Sequence, residues 1–326
     1  MTVASTRTIG KPPRWRRVLH WLVGLSLALG LLYIGIRHYH VEHRLTAWWQ
    51  DPKAEDASPG QLQAYVTEID ALPLPGVLNL SGLAWDDEAG HLVAVLNKPP
   101  TLLVLDRDGN QLATYRLRDF HDTEGIAALG EGWFAVAEER RAQLAFFHAP
   151  AGRGNGEIDH ADAVILNLDL HPSDPLNKGF EGLAYDPNAD VLFVVREDSP
   201  VRLYEIAGLA ALRRTGSMQA LRIRDRSSLL ANLRPSDDLS SVEVDPHSGH
   251  LLLLSERGQR LTEVRRDGSV AGVRHFGGVL GEETPMPRPE GVTMAPDRSL
   301  FVVSEPNLFY RFAPVTMTSD HVKAAP

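Results

Sequence analysis

The sequence contains no cysteine among its 326 residues. That absence excludes a disulfide framework, a thiolate zinc site and a cysteine nucleophile together, and it suits an oxidising compartment. Also missing are a G-x-S-x-G elbow, an H-E-x-x-H helix and a P-loop, so triad hydrolase, zincin and nucleotide hydrolase readings lack their usual support. Basic charge is scarce: the formal net charge is −9. A nucleic-acid binder needs a concentrated basic face to neutralise phosphates, and none follows the first residues. Basic side chains gather only at Arg7, Lys11, Arg14, Arg16 and Arg17. What is present is ordinary for a globular protein: 43% hydrophobic and 23% charged residues, enough to bury a sizeable core.

There is one long apolar run. Val18 to Ile36 (VLHWLVGLSLALGLLYIGI) is nineteen residues without formal charge, about the length that crosses a hydrocarbon core. It predicts a transmembrane helix. Five Lys/Arg residues precede it and only Arg37 and Arg44 follow closely, so the positive-inside bias puts the N-terminus in the cytoplasm and the bulk of the chain outside. A cleaved signal peptide is the competing reading, but IRHYHVEHR after the run lacks the small-residue cleavage pattern. The expected organisation is a basic leader (1–17), an anchor helix (18–36), a juxtamembrane linker (37–60), a folded domain (61–313) and a tail (314–326). His38, His40, His43, Trp48 and Trp49 in the linker read as interfacial residues rather than a metal site.

Beyond the linker the sequence repeats. Five segments share a strand, a tight turn and a second strand, beginning near Asn79, Thr123, Phe180, Leu239 and Pro289. Their equivalent positions Ser81, Glu124, Glu181, Ser240 and Glu290 lie 43, 57, 59 and 50 residues apart, the period of a four-stranded blade with loop insertions. Each is followed two residues later by an aliphatic side chain (Leu83, Ile126, Leu183, Val242, Val292), with Gly, Ala or Ser around it. Small residues of that kind let the innermost strands of a propeller crowd about its axis. The second strands (LVAVL, FAVAE, LFVVR, LLLLS, LFVVS) are nearly continuous apolar runs, as strands covered on both faces should be. Asp108-Gly109, Gly152 and Asp267-Gly268 mark hairpins between third and fourth strands, and Ala207–Arg214 and Ser227–Leu233 read as short helices or structured loops inserted at the third blade.

The expected fold is therefore an all-β, five-bladed β-propeller preceded by one transmembrane helix; six blades, or the same hairpins in a sandwich, are the alternatives. The last repeat has room for three strands only, so Ala64–Leu72 is expected to close the ring by supplying the fourth.

The strings LSGLAWD, NKGFEGLAYD, LLLLSE and PEGVTMAPDRSLFVVSEPNLFYRF resemble the SdiA-regulated (YjiK-like) family of bacterial envelope proteins, over roughly Gln61 to Phe312. The resemblance implies a five-bladed, NHL-like propeller with a calcium site, and no characterised reaction. Ser241-Val242-Glu243 departs from it, because the glycine-alanine pairing of the other repeats is lost there.

Independently of the family, the carboxylates form a pattern. Glu124, Glu181 and Glu290 occupy one position at the start of three innermost strands, so symmetry brings them to one mouth of the central channel. Like charges that close must raise their pKa values, pair with bases or recruit a cation. A second set, Glu138 or Glu139, Glu197, Glu256 and Glu305, ends the second strands and faces the same rim, with Asn97 in the equivalent place in the first blade. Oxygen-only donors favour calcium before magnesium or manganese. The alternative is structural, since Arg140, Arg141, Arg196 and Arg257 lie beside the second set. DRDGN from Asp106 resembles half an EF-hand loop but sits at a hairpin turn and lacks the distal glutamate. Of the scattered histidines, His121 alone precedes a candidate ligand closely.

Two functions are consistent with these residues: a calcium-stabilised periplasmic propeller that binds a ligand or partner in the envelope, or a metal-dependent hydrolase (lactonase or phosphoesterase-like) with an axial calcium that polarises its substrate.

Overall fold

The computed structural model describes residues 14–38, 61–149, 154–168, 179–197, 200–233, 238–276 and 286–315. The residues of the basic leader up to 13, most of the linker with His40, His43, Trp48 and Trp49, and Gly152, His171 and residues 316–326 lie outside them.

Alternating strand and turn signals produce five separate sheets, each with four antiparallel strands. Blade 1 is Leu80–Asp86, His91–Leu96, Thr101–Leu105 and Gln111–Arg118; blade 2 is Thr123–Gly130, Trp133–Glu138, Gln143–His148 and Val164–Asn167. Blade 3 is Phe180–Asp186, Val191–Arg196, Arg202–Ala207 and Arg222–Asp225; blade 4 is Ser241–Val244, Leu251–Ser255, Arg260–Val264 and Val270–His275. Blade 5 takes Pro289–Met294, Leu300–Ser304 and Leu308–Ala313 from the end of the chain and Val66–Pro73 from its beginning. That early strand runs antiparallel to the last one, with Val66 opposite Ala313 and Pro73 opposite Leu308. The ring is thus five-bladed and closed by the segment expected to close it; the six-bladed alternative is not adopted.

The second strands of all blades are buried along their length, Trp133 at the start of blade 2's alone being partly exposed, and the hydrophobic clusters lie between neighbouring blades. Each cluster draws on two adjacent sheets; that is why these strands carry no polar alternation. The inner strands approach still more closely. A Cβ on Gly82 would fall 2.4 Å from the carbonyl oxygen of Glu124, and one on Gly125 would fall 1.9 Å from that of Glu181. Backbone therefore packs on backbone around the axis, which only glycine permits. Blade 4 carries Ser241 at this position, and its hydroxyl accepts a hydrogen bond from Val292 N–H at 3.3 Å instead.

Other expectations resolve in detail. DRDGN is a turn: the Asp106 carboxylate accepts from the backbone N–H groups of Asp108 (2.9 Å) and Asn110 (2.8 Å). The insertions of blade 3 are a helix, Leu209–Thr215, and a 3-10 turn, Ser227–Leu230. Blade 2 departs from a simple hairpin between its third and fourth strands. Between them Gly156–Asp159 leaves the blade and adds a parallel fifth strand to blade 1, Tyr115 opposite Gly156, before Val164–Asn167 returns. The free outer edge of blade 1 offers unpaired backbone groups that such a segment satisfies.

Helix α1 spans Arg14–His38. Its side chains are described only for residues 20–33, a stretch shorter than the run Val18–Ile36, and there Trp21, Leu25 and Leu31 are exposed. Among the described residues no helix is both long and apolar enough to cross a membrane, so the transmembrane expectation stands as a sequence reading.

A carboxylate-lined mouth and its candidate metal centre

Four of the five inner strands open with a β-bulge, between Leu80 and Gly82, Thr123 and Ile126, Phe180 and Leu183, and Pro289 and Gly291. A bulge adds a residue to one strand and re-aims the side chain there. In blades 2, 3 and 5 that residue is Glu124, Glu181 or Glu290, and each is partly exposed although its neighbours in the strand are buried.

The second set meets the first through a repeated backbone contact. The N–H of Asn97 donates to the carbonyl of Asn79 at 3.0 Å, Glu139 to Asp122 at 3.0 Å, Glu197 to Gly179 at 3.4 Å and Glu305 to Arg288 at 3.0 Å. These carbonyls belong to the residue immediately before each inner strand, two positions before Ser81, Glu124, Glu181 and Glu290. Asn79, Asp122 and Arg288 hold left-handed φ values of 55°, 52° and 41° to make the turn. In blade 2 the register thus selects Glu139. Glu138 turns away, fully buried, and accepts from Gln143, His160 (2.8 Å) and the backbone N–H of His121 (2.7 Å). Contacts also pass from blade to blade: Asn97 donates its amide to Glu124, and Glu139 accepts from Gly179 N–H at 3.1 Å.

Burial, reinforced by neighbouring carboxylates, raises five of the seven glutamates. Burial pushes Glu124 up to about 7, opposed by the Ser81 hydroxyl and reinforced by Glu139, Asp122 and Glu305. Burial raises Glu181 well above the carboxylate range, and Glu124, Glu139, Glu197 and Glu290 push the same way. Glu290 is raised likewise by burial, Glu256 and Glu305, against the pull of Arg288. Glu139 is raised by burial with Asp122 and Glu197 adding to it, and Glu256 by burial with Asp238 and Glu197 adding to it.

Among the described residues, few cations reach the rim. Arg288 reaches Glu256 (3.8 Å), Glu290 (3.7 Å) and Glu305. Arg140 (2.9 Å) and Lys98 (3.6 Å) pair with Asp122, and Arg257 with Asp238 at 3.2 Å. Arg141 pairs with the buried Glu138 at 3.5 Å, away from this set. Among the described contacts Arg140, Arg141 and Arg257 answer carboxylates other than the ring glutamates, and Arg288 is the cation that reaches three of those.

Asp122, Glu124 and Glu139 bring one oxygen each within 4.8 Å of one another, the spacing of ligands about one hard cation. Beside them Asn97 Oδ1 is buried and accepts no hydrogen bond among the described residues, a neutral oxygen in a place where solvent cannot satisfy it. The donor set, three carboxylates and an amide oxygen, fits calcium. The three carboxylates all belong to blade 2, and they include Asp122, which repeat alignment at the glutamate positions passed over. The signal was available: Asn79, Asp122, Gly179, Asp238 and Arg288 are equivalent positions, and three of them carry charge.

A sequence profile of the SdiA-regulated family matches residues 58–313. The chain belongs to the SdiA-regulated family. Solved structures similar to this family member include a glutaminyl cyclase from Myxococcus xanthus (14% identity, TM-score 0.49, 77% of this chain and 98% of that one). They also include a gluconolactonase from Xanthomonas campestris (16%, 0.46, 80% and 96%) and the calcium-binding protein regucalcin from Agrobacterium tumefaciens (13%, 0.45, 76% and 93%). At these identities the likenesses do not bear on the site.

Proposed function

We propose that this SdiA-regulated family member is a membrane-anchored periplasmic propeller that binds calcium at its carboxylate mouth and there recruits a ligand or partner of the bacterial envelope. The observation that carries the reading is the meeting of Asp122, Glu124 and Glu139 oxygens beside the unsatisfied Asn97 Oδ1. Glu305 acts electrostatically on Glu124 and Glu197 on Glu139, and Glu124 acts in turn on Glu181 and Glu290, so that a cation at this set would relieve repulsion across the mouth. In the calcium-bound form the ion supplies charge neutralisation and a Lewis acid, while Asn97 orients Glu124 and Gly179 N–H orients Glu139.

Titration calorimetry of the chelator-treated protein is expected to show one calcium bound per chain, with magnesium at least tenfold weaker and binding lost in Glu124→Gln. Calcium binding unchanged by that substitution would refute the site. Turnover of lactones or phosphoesters by the calcium-loaded protein, and its loss in the same variant, would favour the hydrolase alternative.

The anchor rests on the apolar run Val18–Ile36 and the exposed Trp21, Leu25 and Leu31 of α1. A reporter active only outside the cytoplasm is expected to work when fused after Pro326 and to fail when fused before Val18. The reverse pattern would overturn the topology.

A further inference from the structure

At the opposite end of the channel the inner strands enclose a second cavity, of about 530 Å³. Its wall is built from equivalent positions four residues after Ser81, Glu124, Glu181, Ser240 and Glu290: Trp85, Ala128, Tyr185, Val244 and Met294. The layer just before these is small and neutral in blades 1 to 3, where Ala84, Ala127 and Ala184 are buried, and holds buried Thr293 in blade 5. Blade 4 breaks the pattern with Glu243, the residue at which the SVEV repeat departs from the others.

Glu243 is held firmly. Its carboxylate accepts from the Thr293 hydroxyl and from Val244 N–H at 2.6 Å, while Thr293 Oγ1 itself accepts Trp85 N–H at 2.9 Å. The inner strands of three blades are thereby tied to one carboxyl group, which still lines the cavity. A charge that costly in a layer of alanines is more than packing requires. Burial pushes it up to about 7, against the Thr293 hydroxyl and with Asp87 adding to the rise. Basic groups of the lining are already committed: Arg266 pairs with Asp186 at 2.7 Å, and the His247 ring contacts the Pro296 carbonyl at 2.6 Å. Among the described residues no basic side chain pairs with Glu243 or with Asp87 at the rim.

We propose that this cavity binds a small organic cation, its ammonium group paired with Glu243 and Asp87 and its hydrocarbon part packed against Trp85 and Tyr185. A buried anion with no counter-ion gains most from a ligand that brings one, and aromatic walls favour an alkylammonium over a hydrated metal ion. The inference does not rest on the calcium site, which lies at the other mouth.

Titration calorimetry of the full-length protein with 1,4-diaminobutane, against 1,4-butanediol of the same length without charge, tests it. The diamine is expected to bind one to one and the diol at least tenfold more weakly. Glu243→Gln should weaken diamine binding at least tenfold, and the exposed Asp87→Asn, which leaves the interior untouched, about threefold. Glu124→Gln at the far mouth should change nothing. Equal binding of diamine and diol, or unchanged affinity in both Glu243→Gln and Asp87→Asn, would overturn the proposal. So would loss of binding in Glu124→Gln, which would place the diamine at the carboxylate mouth.

Discussion

The calcium-free protein is expected to lose stability as pH rises from about 5 to 7, and calcium is expected to restore it. Glu124 is pushed from 4.5 to about 7 in the folded state, and Glu181, Glu290, Glu139 and Glu256 are raised in the same direction. Below the unfolded value both states hold the proton; above the folded value both have released it. Between them the native state holds more protons than the unfolded chain, so stability falls with pH by about 1.4 kcal/mol per pH unit for each such proton. This slope is opposite to that of carboxylates stabilised by salt bridges. On the proposed reading calcium would compete with those protons and bind the folded protein, so saturating ion should raise the melting temperature most at pH 7 and above.

Changing Glu124, Glu181 and Glu290 together to Gln removes the charges while retaining size and hydrogen-bonding capacity. The variant should show a flatter pH profile, greater stability than wild type at pH 7.5 in chelator, and no response to calcium. Calorimetric melting across pH, with and without chelator, decides the matter. A wild-type profile that rises from pH 5 to 7, or a triple variant that responds to calcium like wild type, would show that the ring is structural.

Opening the ring should be as severe. Deleting Gln61–Leu72 removes most of the strand that completes blade 5, together with Leu62 and Tyr65, which are 1% and 4% exposed. Those two side chains account for roughly 4 kcal/mol of apolar burial. The deletion also removes the Tyr65 carbonyl, which accepts from buried Arg274 at 2.7 Å. A hydrogen bond from a charged group contributes about 1.5 to 3 kcal/mol more. At about 2 to 4 °C per kcal/mol, the melting temperature should fall by more than about 15 °C, or the protein should fail to fold. Removal of 315–326 should cost less than about 1 kcal/mol, because Val315, its one described residue, is exposed. Equal tolerance of the two deletions would argue against strand closure.

Val66–Pro73 also shows why ring closure was legible while much of the site was not. Its side chains are mostly exposed, so it is held by backbone pairing, and the count of strands in the last repeat was enough to demand it. The five repeats, the two hairpins at Asp108-Gly109 and Asp267-Gly268 and the equivalence of Glu124, Glu181 and Glu290 all follow from spacing, which one chain carries in full. The choice of Glu139 over Glu138 did not: both lie at the strand end, and only the bond from Glu139 N–H to the Asp122 carbonyl tells them apart. Asp122 and Arg288 precede their strands and have no hydrophobic periodicity to mark them. Asp122 stands beside a glutamate of its own blade, whereas Arg288 reaches across to Glu256 of the neighbouring blade.

Local patterning thus determined the blades, their number and which residues head each inner strand, because strand period and turn chemistry act over a few neighbouring residues. Only tertiary structure decided which oxygens meet, where the bulges aim them and that Glu243 lines a cavity, because those outcomes depend on how closely one blade's backbone approaches the next. That distance is set by Gly82 and Gly125 packing on the carbonyls of Glu124 and Glu181. It is a contact between residues more than forty positions apart, and no periodicity within a single blade records it.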